Sequence, residues 1–211
     1  MGQAAPHHVF SAADYLAWEA LQPERHEYLD GEVFAMAGVE DRHVTVAGNL
    51  YIALRQQLSG SPCRTYMSDM RLHVAAANSY FYPDILVTCS ALDLASSMVK
   101  TEPRLIVEVL SPSTAAYDRG LKFSHYRRIA SLAEYVVVDL DTRSTDCFRR
   151  RDDGLWVLPR LRAARRWRWP AWRWNSARRS CLQKCQKPDC YFIDSCLRRR
   201  SMRQGLVLCL N

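Results

Sequence analysis

PRLIVEVLSPSTAAYDRGLKFSHY, residues Pro103 to Tyr126, sets one carboxylate, Glu108, inside an otherwise apolar strand. Leu105, Ile106, Val107, Val109 and Leu110 read as a strand covered on both faces. An ionised carboxylate in that setting requires a cation, a metal or several hydrogen-bond donors. Upstream, FYPDILVT (81–88) reads as a second buried strand with the same anomaly, Asp84 following Pro83 and preceding Ile85, Leu86 and Val87. Two lone acids on two buried strands point to a metal site. Beyond Glu108, Ser111-Pro112-Ser113 ends the extended run, and a helix starts somewhere between Thr114 and Asp118. Asp118, Lys122, Tyr126 and Ile129 lie along one side of it.

Outward from this stretch, Ser11 is placed to cap a helix over SAADYLAWEAL (11–21), with Asp14 as its reciprocal partner and Tyr15, Leu16 and Leu21 as buried contacts. RHEYLDGEVFAMAG (25–38) reads as a hairpin turning at Asp30-Gly31, a pair that tolerates positive φ. Leu29 then faces Glu32 and Glu27 faces Phe34, so Glu27 shares a face with Leu29, Phe34 and Met36. From Asp41 to Leu58, His43, Ala47, Leu50, Leu54 and Leu58 recur at helical spacing, and Ser59-Gly60-Ser61-Pro62 stops the helix. TYMSDMRLHV (65–74) reads as one weakly alternating strand, and Ala75 to Ser79 turns the chain into the Asp84 strand. Ser90 to Lys100 is a connection with a turn of helix. EYVVVDLD (134–141) is a strand beside the central ones, and CFRRR (147–151) with GLWVL (154–158) makes a hairpin through Asp152-Asp153-Gly154. The predicted body is an α/β domain with a mixed central sheet flanked by helices.

At 211 residues and 48% hydrophobic content the chain is long enough for one sizeable core. No apolar run approaches the about 18 residues of a membrane span, and the N-terminus lacks the pattern of a signal peptide, so a cytoplasmic protein is expected. Charge divides the chain. Residues 1–159 hold 15 Lys and Arg against 20 Asp and Glu, a balance of −5, whereas residues 160–211 hold 14 against 2, a balance of +12. Cys63, Cys89 and Cys147 are scattered through the body, which reads as a reduced domain, and five cysteines crowd the end.

Beyond Leu158 the patterning stops, so residues 1–158 read as the domain and 159–211 as a basic Arg-, Trp- and Cys-rich tail. Cys181, Cys185, Cys190 and Cys196 miss the usual paired spacing of a four-thiolate zinc module. A disordered basic arm on nucleic acid is the stronger alternative. The favoured reading is translation in a shifted frame, which a patterned ending in another frame of the gene would reveal.

Hard divalent cations such as Mg2+ or Mn2+ take carboxylate and carbonyl oxygens, with phosphate completing the shell. Asp84, Glu108 and the carbonyl of Val109 make such a half-shell, suited to activating water and neutralising phosphoryl charge. Each residue also has a plainer reading. Glu108 pairs with an arginine or a nest of amides; Asp84 marks an ordinary Pro-Asp turn; Lys122 pairs with Asp118 one turn earlier instead of serving the chemistry. His43 is a satisfied core histidine or an accessory group, and Glu27 a solvated hairpin acid or an accessory group that orients a water or a second metal.

Tyr82-Pro83-Asp84, Glu108-Val109-Leu110-Ser111-Pro112-Ser113, Asp118 with Lys122 and Tyr126, and Glu134-Tyr135 with Val138-Asp139 resemble the Uma-type family of bacterial endonucleases. Arg25-His26-Glu27-Tyr28-Leu29-Asp30-Gly31-Glu32 and His43 look like that family too, so the likeness covers roughly Phe10 to Leu158. It implies the restriction-endonuclease-like fold, whose superfamily is named for a Pro-Asp pair followed by an Asp/Glu-x-Lys strand. It also implies Asp84 and Glu108 as metal ligands in a Mg2+- or Mn2+-dependent endonuclease acting on DNA. The departure is Leu110, which stands where the superfamily lysine would sit. Family members commonly carry the lysine on the following helix, where this chain has Lys122. Many nucleases of this fold cut as dimers, so analogy with the fold leaves a homodimer open, and no residue of this sequence decides the oligomeric state. The alternative is a catalytically silent member of the fold that binds nucleic acid or a protein partner.

Overall fold

Ser11 opens the first helix of the computed structural model, which describes residues 10–36 and 38–158. Its hydroxyl accepts the Asp14 N–H at 3.1 Å while the Asp14 carboxylate accepts the Ser11 N–H, the reciprocal cap expected from the sequence. The helix, α1 (Ala12–Glu19), buries Tyr15 and Glu19. Leu21, expected in the core, is 83% exposed, because the helix has ended before it. The interior position goes instead to Glu19, whose carboxylate accepts the Tyr82 hydroxyl and the His26 N–H.

The hairpin β1 (His26–Leu29) and β2 (Glu32–Ala35) has the expected register, Leu29 opposite Glu32 and Glu27 opposite Phe34, with Asp30 and Gly31 both at positive φ. Helix α2 (Asp41–Gln57) then buries His43, Ala47, Leu50 and Leu54, the stripe read from the sequence.

The next two stretches correct the sequence reading. TYMSDMRLHV is not one strand. It divides into β3 (Arg64–Met67) and β4 (Arg71–Val74), with Ser68 to Met70 turning the chain between them. After a short 3-10 turn (Ala75–Ala77), FYPDILVT divides in the same way into β5 (Ser79–Phe81) and β6 (Ile85–Thr88). Tyr82-Pro83-Asp84 separates the two strands, since proline has no N–H to continue a ladder. Asp84 therefore lies just ahead of its strand and is only half-buried. Helix α3 (Ala91–Ala95), β7 (Val99–Lys100) and β8 (Pro103–Val109) follow.

Helical backbone resumes at α4 (Ala115–Tyr117), passes through one π-helical turn (Asp118–Lys122) and ends in α5 (Phe123–Tyr126). The early start, at Thr114, is the one adopted. Strands β9 (Glu134–Asp139), β10 (Ser144–Arg150) and β11 (Trp156–Val157) complete the described chain.

The strands form two mixed sheets flanked by helices, ordered β2-β1-β5-β4-β7 and β11-β10-β9-β8-β6-β3. Each divided stretch crosses from one sheet to the other. The crossings are pinned together where the Ser68 N–H donates to the Asp84 carbonyl at 3.2 Å.

Strand β8 lies between antiparallel β6 and parallel β9, so both of its edges are paired, and packing on each side covers both of its faces. Leu105, Val107 and Val109 pack with Ala47, Leu50 and Leu54 of α2, while Ile106 and Leu110 pack with Tyr126 and Tyr135. Glu108 shares the second face, by the alternation of side chains along a strand.

Cys63 and Cys89 correct the reading of a fully reduced body. The pairing of Arg64 with Thr88 brings these flanking residues opposite one another, and they form a disulfide with a Cα–Cα distance of 4.0 Å. Cys147 is buried and free. Among the described residues no helix is long and apolar enough to cross a membrane. The readings of residues 159–211 as a zinc module, a basic arm or a frame-shifted product lie outside the described residues.

Candidate active site

The end of β8 and the Pro-Asp turn before β6 hold each other through reciprocal bonds from main-chain N–H groups to side-chain carboxylates. The Asp84 N–H donates to Glu108 Oε2 at 3.2 Å, and the Val109 N–H donates to Asp84 Oδ2 at 2.8 Å. Backbone amides at the ends of the two strands thus fix both carboxylates without help from any other side chain. His43, from the first turn of α2, places Nε2 at 3.0 Å from Asp84 Oδ1, and its Nδ1 is buried without a partner among the described residues.

Lys122 joins the rest. Its ammonium lies 2.9 Å from Glu27 Oε1, 3.1 Å from Glu108 Oε1 and 3.3 Å from Asp118 Oδ1, and its side chain is 8% exposed. The pairing with Asp118 one turn earlier is therefore present, and so is the contact with Glu108. Glu27 is buried rather than solvated, because β1 carries it under the helical segment, where the Tyr117 hydroxyl donates to its Oε2 at 2.9 Å. The structure brings together Glu27, His43, Asp84, Glu108 and Lys122, with Val109 entering through its N–H.

Two tyrosines were not singled out for the site by sequence reasoning. Tyr126 lies on the side of the helix that carries Lys122 and donates its hydroxyl to Glu108 Oε1 at 2.8 Å. Its helical spacing was a usable signal. Tyr117 had none, since its partner Glu27 is 90 residues away. The π-helical turn, a feature often found at functional sites, spans Asp118 to Lys122, and the Asp118 carbonyl accepts the Tyr135 hydroxyl at 2.9 Å.

Three carboxylates, Glu27, Glu108 and Asp118, surround the Lys122 ammonium, and Asp84 stands beside Glu108. Burial pushes the Glu108 carboxyl up to about 8; Lys122 opposes this, and the charges of Asp84, Asp118 and Glu27 add to it. Burial alone would lower the Lys122 ammonium, yet Glu108, Glu27 and Asp118 hold it well above the usual lysine range. Burial and the Glu108 charge likewise raise Tyr126 well above an ordinary phenol. The lysine is a fixed cation and Glu108 is the group poised to titrate.

Tyr126→Phe leaves Glu108 Oε1 short of a donor in a buried site. The expected loss is about 1–3 kcal/mol of unfolding free energy, measured by denaturant titration.

The family model described as "Uma2: Putative restriction endonuclease" matches residues 12–170. The chain belongs to the Uma2 family. Two uncharacterized proteins of Synechocystis sp. are similar to it. Slr1290 is 37% identical over 163 residues, covering 77% of this chain and 86% of the relative. Sll1609 is 35% identical over 155 residues, covering 72% and 88%. Among solved structures, that of a putative nuclease belonging to DUF820 from Anabaena variabilis superposes with a TM-score of 0.57 at 14% identity. It covers 66% of this chain and 79% of its own, a likeness of fold. In this Uma2 chain Leu110 is buried in the core, and the ammonium beside Glu108 comes from Lys122.

Proposed function

We propose that this Uma2 protein is a Mg2+- or Mn2+-dependent endonuclease that hydrolyses phosphodiester bonds in DNA. The observation that carries the reading is the pair of carboxylates, Asp84 and Glu108, fixed side by side at two strand ends, with a buried lysine against Glu108.

The donor set suits a hard cation. Glu108 Oε1 already accepts from Tyr126 and Lys122, whereas Glu108 Oε2, Asp84 Oδ1 and Asp84 Oδ2 each accept one donor and keep a lone pair. No group of three or more His, Cys, Asp or Glu among the described residues could hold a metal ion by itself. The protein would therefore supply Asp84, Glu108 and the Val109 carbonyl, and phosphate oxygens and water would complete the shell. When bound, such an ion lowers the pKa of a water and neutralises phosphoryl charge.

The remaining residues act on this pair. Lys122 is protonated and held by three carboxylates, so it serves as a positioning and charge-stabilising group and not as a base. His43 orients Asp84 through Nε2. Tyr126 and the Asp84 N–H hold the two oxygens of Glu108, and Glu27 with Tyr117 holds Lys122 from the far side.

One observation favours a second reading. Every oxygen of Asp84 and Glu108 already has a protein donor, which also suits a catalytically silent module of the same fold. A single experiment separates the two. The full chain is incubated with single-stranded, double-stranded and supercoiled DNA in Mg2+ or Mn2+, with chelator as control, and its melting temperature is followed against metal. Metal-dependent cleavage, stopped by chelator, supports the nuclease. No cleavage of any form and no metal linkage to stability would leave the silent module.

A further inference from the structure

A cavity of about 790 Å³ lies outside the cluster just described, between the C-terminal half of α2 and the edge strand β3. Tyr51, Arg55, Arg64 and Tyr66 line it, and Met67 and Asp69 lie at the end nearest the Pro-Asp turn. Ser68, between those last two, donates its N–H to the Asp84 carbonyl, so that end of the cavity adjoins the Pro-Asp turn.

Two exposed cations stand on this wall of a domain whose net charge is negative. Arg55 and Arg64 are exposed, and neither pairs with a carboxylate among the described residues; the nearest recorded partner of Arg55 is the Tyr51 hydroxyl at 3.4 Å. The acid on the wall, Asp69, is matched by Arg25 at 3.5 Å. Tyr66 is backed by the buried Lys100 ammonium, 4.7 Å from its ring centroid, which fixes the ring while leaving it half-exposed.

We propose that this cavity seats a single nucleic-acid strand on its way to the candidate active site, with Arg55 and Arg64 on its phosphates and Tyr51 and Tyr66 against its bases. Cations that track a backbone and aromatic faces that accept any base are the two parts of a sequence-tolerant single-strand groove. Tyr51 follows His43 by eight residues on α2, about 12 Å along the helix, so a strand seated at Tyr51 lies within a few nucleotides of the candidate active site. The inference rests on the nuclease reading for its substrate and for the direction in which the strand runs.

The test uses the full chain and a fluorescent single-stranded oligonucleotide in chelator, with affinity followed against salt. Arg55→Gln combined with Arg64→Gln is expected to leave the melting temperature unchanged and to weaken binding about tenfold or more at low salt. It should also flatten the slope of log affinity against log salt by about 1.4, two phosphates at ~0.7 each. Tyr51→Ala is expected to weaken binding about fivefold or more with the slope unchanged. An unchanged slope in the arginine double variant overturns the groove, whether or not the protein cuts DNA, and directs attention to a peptide strand on the β3 edge. Arginine-dependent binding without metal-dependent cleavage upholds the groove and sinks the nuclease reading. A wild-type chain that binds no oligonucleotide overturns the groove and leaves the nuclease reading to the cleavage assay.

Discussion

Glu108→Ala is expected to remove metal-dependent DNA cleavage, a fall of about 10²- to 10³-fold or more, down to the background of the assay. The magnitude follows from what leaves with the side chain: one of the two proposed anionic ligands, and the group through which Lys122 and Tyr126 are tied to the Pro-Asp turn. A variant that cleaves at the wild-type rate would falsify the assignment. The wild-type pH profile provides an independent check. With the carboxyl pushed up to about 8, the anion that binds metal gains about tenfold per pH unit below that value and levels off above it, so cleavage should rise in the same way.

Stability runs in the opposite sense. The folded protein holds the Glu108 proton more tightly than the unfolded chain, so between roughly pH 4.5 and 8 rising pH favours unfolding. In chelator, Glu108→Ala should flatten that slope of melting temperature against pH. A flat wild-type profile would argue that the four acids are relieved in some other way.

Local signals decided how much of this site was legible in the sequence. Glu108 stood out because a strand buried on both faces has no place for an unpaired charge, and Asp30-Gly31 fixed the hairpin register because few residue pairs adopt its backbone. The stripe from His43 to Leu58 was legible because helical spacing repeats over four turns. The division of the strands was not. Ser68 to Met70 carries no glycine or proline, and Pro83 was read beside Asp84 as part of a motif and not as the end of a ladder. The burial of Glu27 is a tertiary matter, set by which sheet the hairpin joins and by a tyrosine far along the chain. The pairing of Cys63 with Cys89 likewise follows from the antiparallel register of β3 and β6, which cannot be read before those strands are placed.

Lys122→Met tests the other half of the site. The substitution retains the length and apolar stem of the side chain and removes the only cation in contact with Glu27, Glu108 and Asp118 among the described residues. Removing one partner from a buried ionic cluster leaves uncompensated charge, and the expected loss is about 3–5 kcal/mol. For a chain of this size that corresponds to a fall in melting temperature of roughly 6–20 °C, at about 2–4 °C per kcal/mol. The pH dependence identifies the cause. Lys122 in the wild-type protein is charged throughout pH 5–9, since its folded pKa lies above the ordinary lysine value, so its stabilisation is present across that window and is lost only as pH rises through the folded value. Without it the carboxylates hold protons more tightly in the folded state than in the unfolded chain, and the variant should recover stability as pH falls from 8 to 5. Adding Glu27→Gln to Lys122→Met should restore part of the loss, because the two side chains are in contact and their effects do not add. A loss that ignores pH, and that Glu27→Gln deepens, would point to packing alone. Cleavage measured well below the lowered melting temperature should still fall about 10²- to 10³-fold, which separates the contribution of the ammonium to the reaction from its contribution to the fold.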